Sequence, residues 1–134
     1  MTYLLDTDTC IYLIKRKPPS AIQRMRSLAV EEIAISTITV AELEYGAAKS
    51  QNPDRNRMAL LKFLLPFAIL DFGQPAATHY GSIRTEIESR GTPIGPMDML
   101  LAAQARATDL VLVTNNTREF SRVGGLRIEN WATN

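Results

Sequence analysis

Tyr3-Leu4-Leu5-Asp6-Thr7-Asp8 begins with three apolar residues and ends in two carboxylates separated by one threonine. A short unbroken apolar run suits a strand buried on both faces, as in a parallel sheet, and such a strand empties into the crevice where ligands bind. Asp6 is then predicted to stand at the mouth of that crevice. Three other segments are expected to bring a polar group to the same edge, around Glu42, Asp98 and Asn116.

Working outward, Ile11 and Ile14 predict a helix over residues 9–15, stopped by Pro18 and Pro19. Ser20 is placed to cap a second helix with Ile22, Met25 and Leu28 on its apolar face. Ile33-Ala34-Ile35 reads as a second buried strand, and Thr39-Val40-Ala41-Glu42 has the form of a capping box opening a helix over residues 40–49. A helix over 53–65, with Met58, Leu61 and Leu65 on one face, completes a helical hairpin. Ala68-Ile69-Leu70 is a third strand, followed by a helix led by Pro75 with Ala76, Tyr80, Ile83 and Ile87 in register, ending at Gly91. Pro96 leads the next helix and puts Asp98 in its first turn. Leu110-Val111-Leu112-Val113-Thr114 is the clearest buried strand, Asn115-Asn116 leads into a helical turn through Phe120, and Leu126-Arg127-Ile128-Glu129-Asn130 alternates like an edge strand. Strands separated by helices imply an α/β three-layer sandwich with a central mostly parallel sheet, in a single domain spanning residues 1–134.

A chain of this length can bury about two-thirds of its unfolded surface without a staple. The one cysteine, Cys10, excludes an intramolecular disulfide and fits a reducing cytoplasm. No apolar run approaches the roughly 18 residues of a membrane span, and no basic stretch precedes a long apolar core. The expectation is a soluble, unexported, cytoplasmic protein without a membrane partner. Fifteen basic and fourteen acidic side chains give a net charge of +1, which excludes coating nucleic acid by bulk charge and leaves room for a local basic rim.

Strand C-termini and the helix starts that follow them share one edge of such a sheet, so Asp6, Glu42 and Asn116 are expected to meet there. Asp98 fits less easily, because its helix precedes a strand; only a helix start reaching over the crevice brings it in. Carboxylates held together repel and raise one another's pKa unless a cation neutralises them. Hard oxygen donors suit Mg²⁺ or Mn²⁺, and one histidine with one cysteine leaves no zinc site of the usual kind. A cation bound in this way supports in-line hydrolysis of a phosphodiester with no covalent nucleophile. Each residue also has a plain structural use: Glu42 in its capping box, Asp98 at a helix dipole, Asn116 as an N-cap. Asp8 reads as the cap of the first helix or a group behind the metal ligands, and Glu119 as a solvated helix residue or a ligand. His79 and Cys10 read as structural, and the basic clusters as wet helix faces.

Four segments then carry a resemblance: Leu5-Asp6-Thr7-Asp8, Ile38-Thr39-Val40-Ala41-Glu42-Leu43-Glu44-Tyr45-Gly46, Gly91-Thr92-Pro93-Ile94-Gly95-Pro96-Met97-Asp98 and Val113-Thr114-Asn115-Asn116-Thr117-Arg118-Glu119-Phe120. In this order the chain resembles the PIN-domain ribonucleases, and among them the VapC toxins of toxin-antitoxin pairs. The resemblance implies that Asp6 and Asp98 are the principal ligands of Mg²⁺, for which Mn²⁺ can substitute, with Glu42 completing the set directly or through water. It brings the helix of Asp98 to the acidic pocket. Asn116 stands where many members have a fourth acid; an amide supplies no charge and is expected to orient a water or a phosphate. Asp8, Thr114 and Glu119 surround the set, and Glu119 can supply the missing charge. The resemblance further implies RNA cleavage, in initiator tRNA at the anticodon stem-loop, a homodimer, and a VapB-type antitoxin that covers the active site. Lys15, Arg16, Arg84 and Arg90, on elements flanking the pocket, are expected to grip the RNA backbone. Two alternatives stay open: a phosphatase of the haloacid dehalogenase type using Asp6 as nucleophile, whose motif wants Thr or Val where Cys10 stands, and a catalytically silent PIN module that binds RNA or protein.

Overall fold

The computed structural model describes residues 1–133. Its five strands are β1 (Tyr3–Leu5), β2 (Ile33–Ser36), β3 (Ala68–Leu70), β4 (Val111–Val113) and β5 (Ile128–Glu129), in the order β3-β2-β1-β4-β5. Every neighbouring pair is parallel, with Leu4 opposite Ala34 on one side and Leu112 on the other. The opening stretch is thus the central strand, as its unbroken apolar run predicts.

Side chains alternate across this sheet, so each strand feeds two cores. Leu4, Ala34 and Leu112 pack with Ile83 and Ile87 of α5 (Gln74–Ser89) and with Met99, Leu101 and Ala102 of α6 (Pro96–Ala107). Leu5, Ile33, Ile35 and Val113 face Cys10 and Leu13 of α1 (Thr7–Lys15), Ala21 of α2 (Pro19–Arg26), Leu43 of α3 (Thr37–Ala48) and Leu60 of α4 (Pro53–Leu64). A last short helix, α7 (Thr117–Phe120), anchors itself by burying Phe120. The result is the α/β three-layer sandwich that the sequence predicts.

Several local expectations are corrected. Ser20 does not cap α2: the N-cap is Pro18, and the Ser20 hydroxyl is buried without a hydrogen-bond partner. Helix α3 starts before the expected capping box, with Ser36 as N-cap accepting from Ile38 N, so Glu42 lies beyond the first turn with no capping duty. On α4 the expected face of Met58, Leu61 and Leu65 points outward, at 67%, 39% and 85% exposure, while Leu60, Phe63 and Leu64 turn to the core. Both faces are apolar, so periodicity alone could not choose between them.

Helix α6 runs against the strands, from the carboxyl edge of the sheet to the start of β4. Its small residues Ala102, Ala103 and Ala105 are completely buried and let it lie close on the sheet. Gln104, buried among them, fixes its height: Nε2 donates to the carbonyls of Leu70 and Asp71, each at 3.1 Å, and the Ser36 hydroxyl donates to Oε1. Ser36 closes β2 beside the end of β1, so Gln104 is level with the carboxyl ends of the strands. Asp98 comes six residues earlier, about 9 Å along a helix that rises 1.5 Å per residue. The start of α6 therefore overhangs the crevice, which settles the placement that strand order alone left open.

Candidate active site

Asp6 is the residue that joins β1 to α1. It is the N-cap of α1, with Oδ1 accepting from Thr9 N at 2.8 Å, while its own N–H donates to Val113 O at 3.0 Å. The Thr9 hydroxyl donates to the same carbonyl at 3.2 Å, tying α1 to β4. The capping duty expected of Asp8 thus belongs to Asp6; Asp8 is exposed in the first turn. Asp6 is 6% exposed. Burial pushes its carboxyl above the ordinary value, hydrogen bonds from Thr114 and Thr9 pull back, and the charge of Asp8 pushes up again.

Glu42 projects from α3 beside it, and the Thr7 hydroxyl donates to its Oε1 at 2.7 Å. On the far side of the crevice Asp98 occupies the first turn of α6, behind Gly95 as N-cap. A Cβ on Gly95 would meet Asp98 Oδ2 at 3.6 Å, an ordinary contact. Asn116 is the N-cap of α7 but makes no side-chain cap bond; its Nδ2 donates instead to Glu119 Oε2. Glu119 Oε1 accepts from Gly95 N at 3.1 Å, so one carboxylate braces both the start of α7 and the start of α6. Thr114 is buried behind this turn and accepts from Asn116 N at 3.0 Å.

The charges converge on Asp98. Its pKa is pushed up to about 6, first by burial and then by the negative charges of Glu119, Glu42, Asp6 and Asp8. Among the described residues, no three acidic, histidine or cysteine side chains close into a ready-made metal cage. The donors nevertheless fit a hydrated divalent cation. All are hard carboxylates, their mutual repulsion is what a cation relieves, and Mg²⁺ keeps several waters and takes only one or two carboxylates directly.

The basic residues expected at the pocket separate into two pairs. Lys15 shares a cavity of about 390 Å³ with Glu42, Ile11, Ile14, Asn56 and Leu60, and neither Lys15 nor Arg16 is in an ion pair among the described residues. Arg84 pairs with Glu88 and bonds the Tyr80 hydroxyl, and Arg90 pairs with Glu86. Local pattern does not reveal the parts that Thr7, Thr9 and Gly95 play in the site. The alternation Asp6-Thr7-Asp8-Thr9 was the available signal, because hydroxyls spaced around a buried acid are natural donors to it.

A parallel sheet with an open acidic crevice at its carboxyl edge defines the class: an α/β protein suited to holding a hydrated divalent cation. The PIN domain profile matches residues 3–126. The chain is 47% identical over 132 residues to the tRNA(fMet)-specific endonuclease VapC of Shigella flexneri, covering 98% of this chain and 99% of that protein. It is similar to the toxin fold in the crystal structure of VapBC2 from Rickettsia felis bound to a promoter DNA fragment, with a TM-score of 0.92, 42% identity and coverage of 98% and 99%. DNA-bound VapBC from Salmonella typhimurium matches with a TM-score of 0.92 and 45% identity, covering 98% of each chain. The chain therefore belongs to the PIN-domain family, and within it to the VapC ribonucleases of VapBC toxin-antitoxin systems. The phosphatase alternative falls with this match.

Proposed function

We propose that this chain is a Mg²⁺-dependent endoribonuclease, the toxin of a VapBC pair, which hydrolyses one phosphodiester in the anticodon stem-loop of initiator tRNA. The observation that carries the reading is the gathering of four other carboxylates around Asp98, which marks one crevice built from four separate segments. Identity of 45–47% to tRNA(fMet)-specific endonucleases over nearly the full length supports the substrate. When bound, the cation would supply a water of lowered pKa and neutralise charge on the phosphoryl oxygens.

In this reading Asp6 and Asp98 would hold the cation, and Glu42 would reach it directly or through water. The Thr7 hydroxyl keeps Glu42 turned toward the crevice. Asn116, held by Glu119, orients a water or a phosphate, and the Glu119 carboxylate supplies the charge an amide lacks. Lys15 and Arg16 are free to meet the RNA backbone, a role Arg84 and Arg90 could share only by leaving their acids. Mn²⁺ is expected to replace Mg²⁺. The single domain covers the whole chain and acts in the cytoplasm as a homodimer; no described helix is long and apolar enough to cross a membrane. A VapB-type antitoxin would close the site, and the apolar cavity beside Glu42 supports a protein segment seated there.

The test is incubation of the purified chain, freed of any partner, with total bacterial tRNA in Mg²⁺ and in EDTA, mapping the new ends. Metal-dependent cuts at one position in initiator tRNA are expected. Folded protein that cuts nothing in Mg²⁺ or Mn²⁺ would return the reading to a silent RNA- or protein-binding module.

A further inference from the structure

The acidic set addresses a phosphodiester, and a phosphate carries no sequence information. An enzyme that cuts one RNA needs groups that reach a base edge, and unpaired loops are where such edges are offered. Beside the crevice, among the described residues, one pair stands at the rim. Asn115 leaves β4 next to Asn116, and its Nδ2 donates to the Tyr12 hydroxyl of α1 at 2.6 Å. These are the two segments that carry Asn116 and Asp6.

Asn115 is exposed, and Tyr12 is half-buried against the core beneath α1. Their bond leaves three groups uncommitted among the described residues: Asn115 Oδ1, the second N–H of its amide, and the phenolic hydrogen of Tyr12. A donor and an acceptor thus lie side by side in a fixed orientation, facing solvent at the rim of the site. Asn115 has no capping duty to explain it, because Asn116 is the N-cap of α7. An exposed tie of this kind adds little stability by itself.

We propose that Asn115, oriented by the Tyr12 hydroxyl, reads the edge of an unpaired nucleobase next to the cleaved phosphodiester. An asparagine amide matches the paired donor and acceptor of adenine, N6 and N7, so adenine is the first base to try. The proposal rests on the ribonuclease reading above, and binding can be measured apart from cleavage. The Asp98→Asn protein, in EDTA, is titrated with labelled anticodon stem-loop RNAs that differ at single loop bases, with Asn115 intact, as Asn115→Ala and as Asn115→Asp. Replacing one loop base should weaken binding about tenfold when Asn115 is present, the lower end for a bidentate base contact, and about twofold or less when it is absent. Tyr12→Phe should lose part of that discrimination while keeping the melting temperature. An equal loss on every RNA, or undiminished discrimination after Asn115→Ala, overturns the proposal. Protein that cleaves nothing but discriminates through Asn115 would sink the nuclease reading alone; cleavage of one tRNA with Asn115→Ala keeping the base preference would sink the base-reading alone.

Discussion

The two sides of the crevice are built differently. On the side of α1 and α3, Asp6 is buried and pinned by Thr9 and Thr114, and Glu42 is held by Thr7. On the side of α6 and α7, Asp98 is half-buried under the charge of four carboxylates, and Glu119 braces the start of the helix that carries it. One side stores its acids in hydrogen bonds, whereas the other stores repulsion. The lesson is that the first side is ready before any cation arrives, and the second is relieved only when one does.

The harshest break in the contrast is removal of either acid. Asp6→Asn and Asp98→Asn should each lower cleavage by a thousandfold or more, about 4 kcal/mol of barrier at 1.36 kcal/mol per decade, with the fold intact by circular dichroism. Their stabilities should diverge: in EDTA at neutral pH, Asp98→Asn should melt higher than the parent because it removes the repelled charge. An equal or lower melting temperature would contradict the repulsion assigned to Asp98.

Acidification gives the next effect. The folded-state pKa of Asp98, about 6, lies above its ordinary value of 3.8, so the folded state binds more protons between them. This group's contribution to stability is then greatest at the acid end of that window and is lost as pH rises through about 6. Mg²⁺ binding should take up the proton's place: calorimetry in two buffers should show proton release near pH 6 and affinity falling below it. Proton-independent binding across this range would reject Asp98 as a ligand.

A smaller effect tests the brace. Glu119→Gln removes the strongest of the charges acting on Asp98, so the Asp98 carboxyl should titrate lower by carbon-detected NMR, and the Gly95 amide should exchange faster. An unmoved titration would disconnect the two. The least change is expected from Thr7→Val, which takes one hydrogen bond, on the order of 1 kcal/mol, from Glu42. Cleavage should fall a few-fold; a loss as large as that of Asp6→Asn would mean that Thr7 touches the reacting groups itself.

Legibility followed the range of the forces involved. The central strand, the Ile83 and Ile87 face of α5 and the turn-rich approach to Pro96 could be read from local pattern, because burial period and backbone restriction act within a few residues. Local spelling predicts a capping box at Glu42, yet Ser36 caps α3 and Glu42 turns to Thr7 of the neighbouring α1. The outward face of α4 and the bare hydroxyl of Ser20 differ from the local expectation for the same reason: each depends on what packs alongside.

The sequence by itself determined that short apolar runs alternate with helices, hence a parallel α/β sheet with Asp6 at its carboxyl edge, because side-chain period and strand connection are local properties. Tertiary structure decided that Asp98 joins Asp6, a placement that local pattern left open and only the family resemblance implied. That depends on Gln104, which sets the height of α6 by bonds to the ends of β2 and β3, and on Glu119, which reaches across to Gly95. Those contacts link residues far apart in the chain, and their strength comes from a buried setting that exists only once the layers have closed.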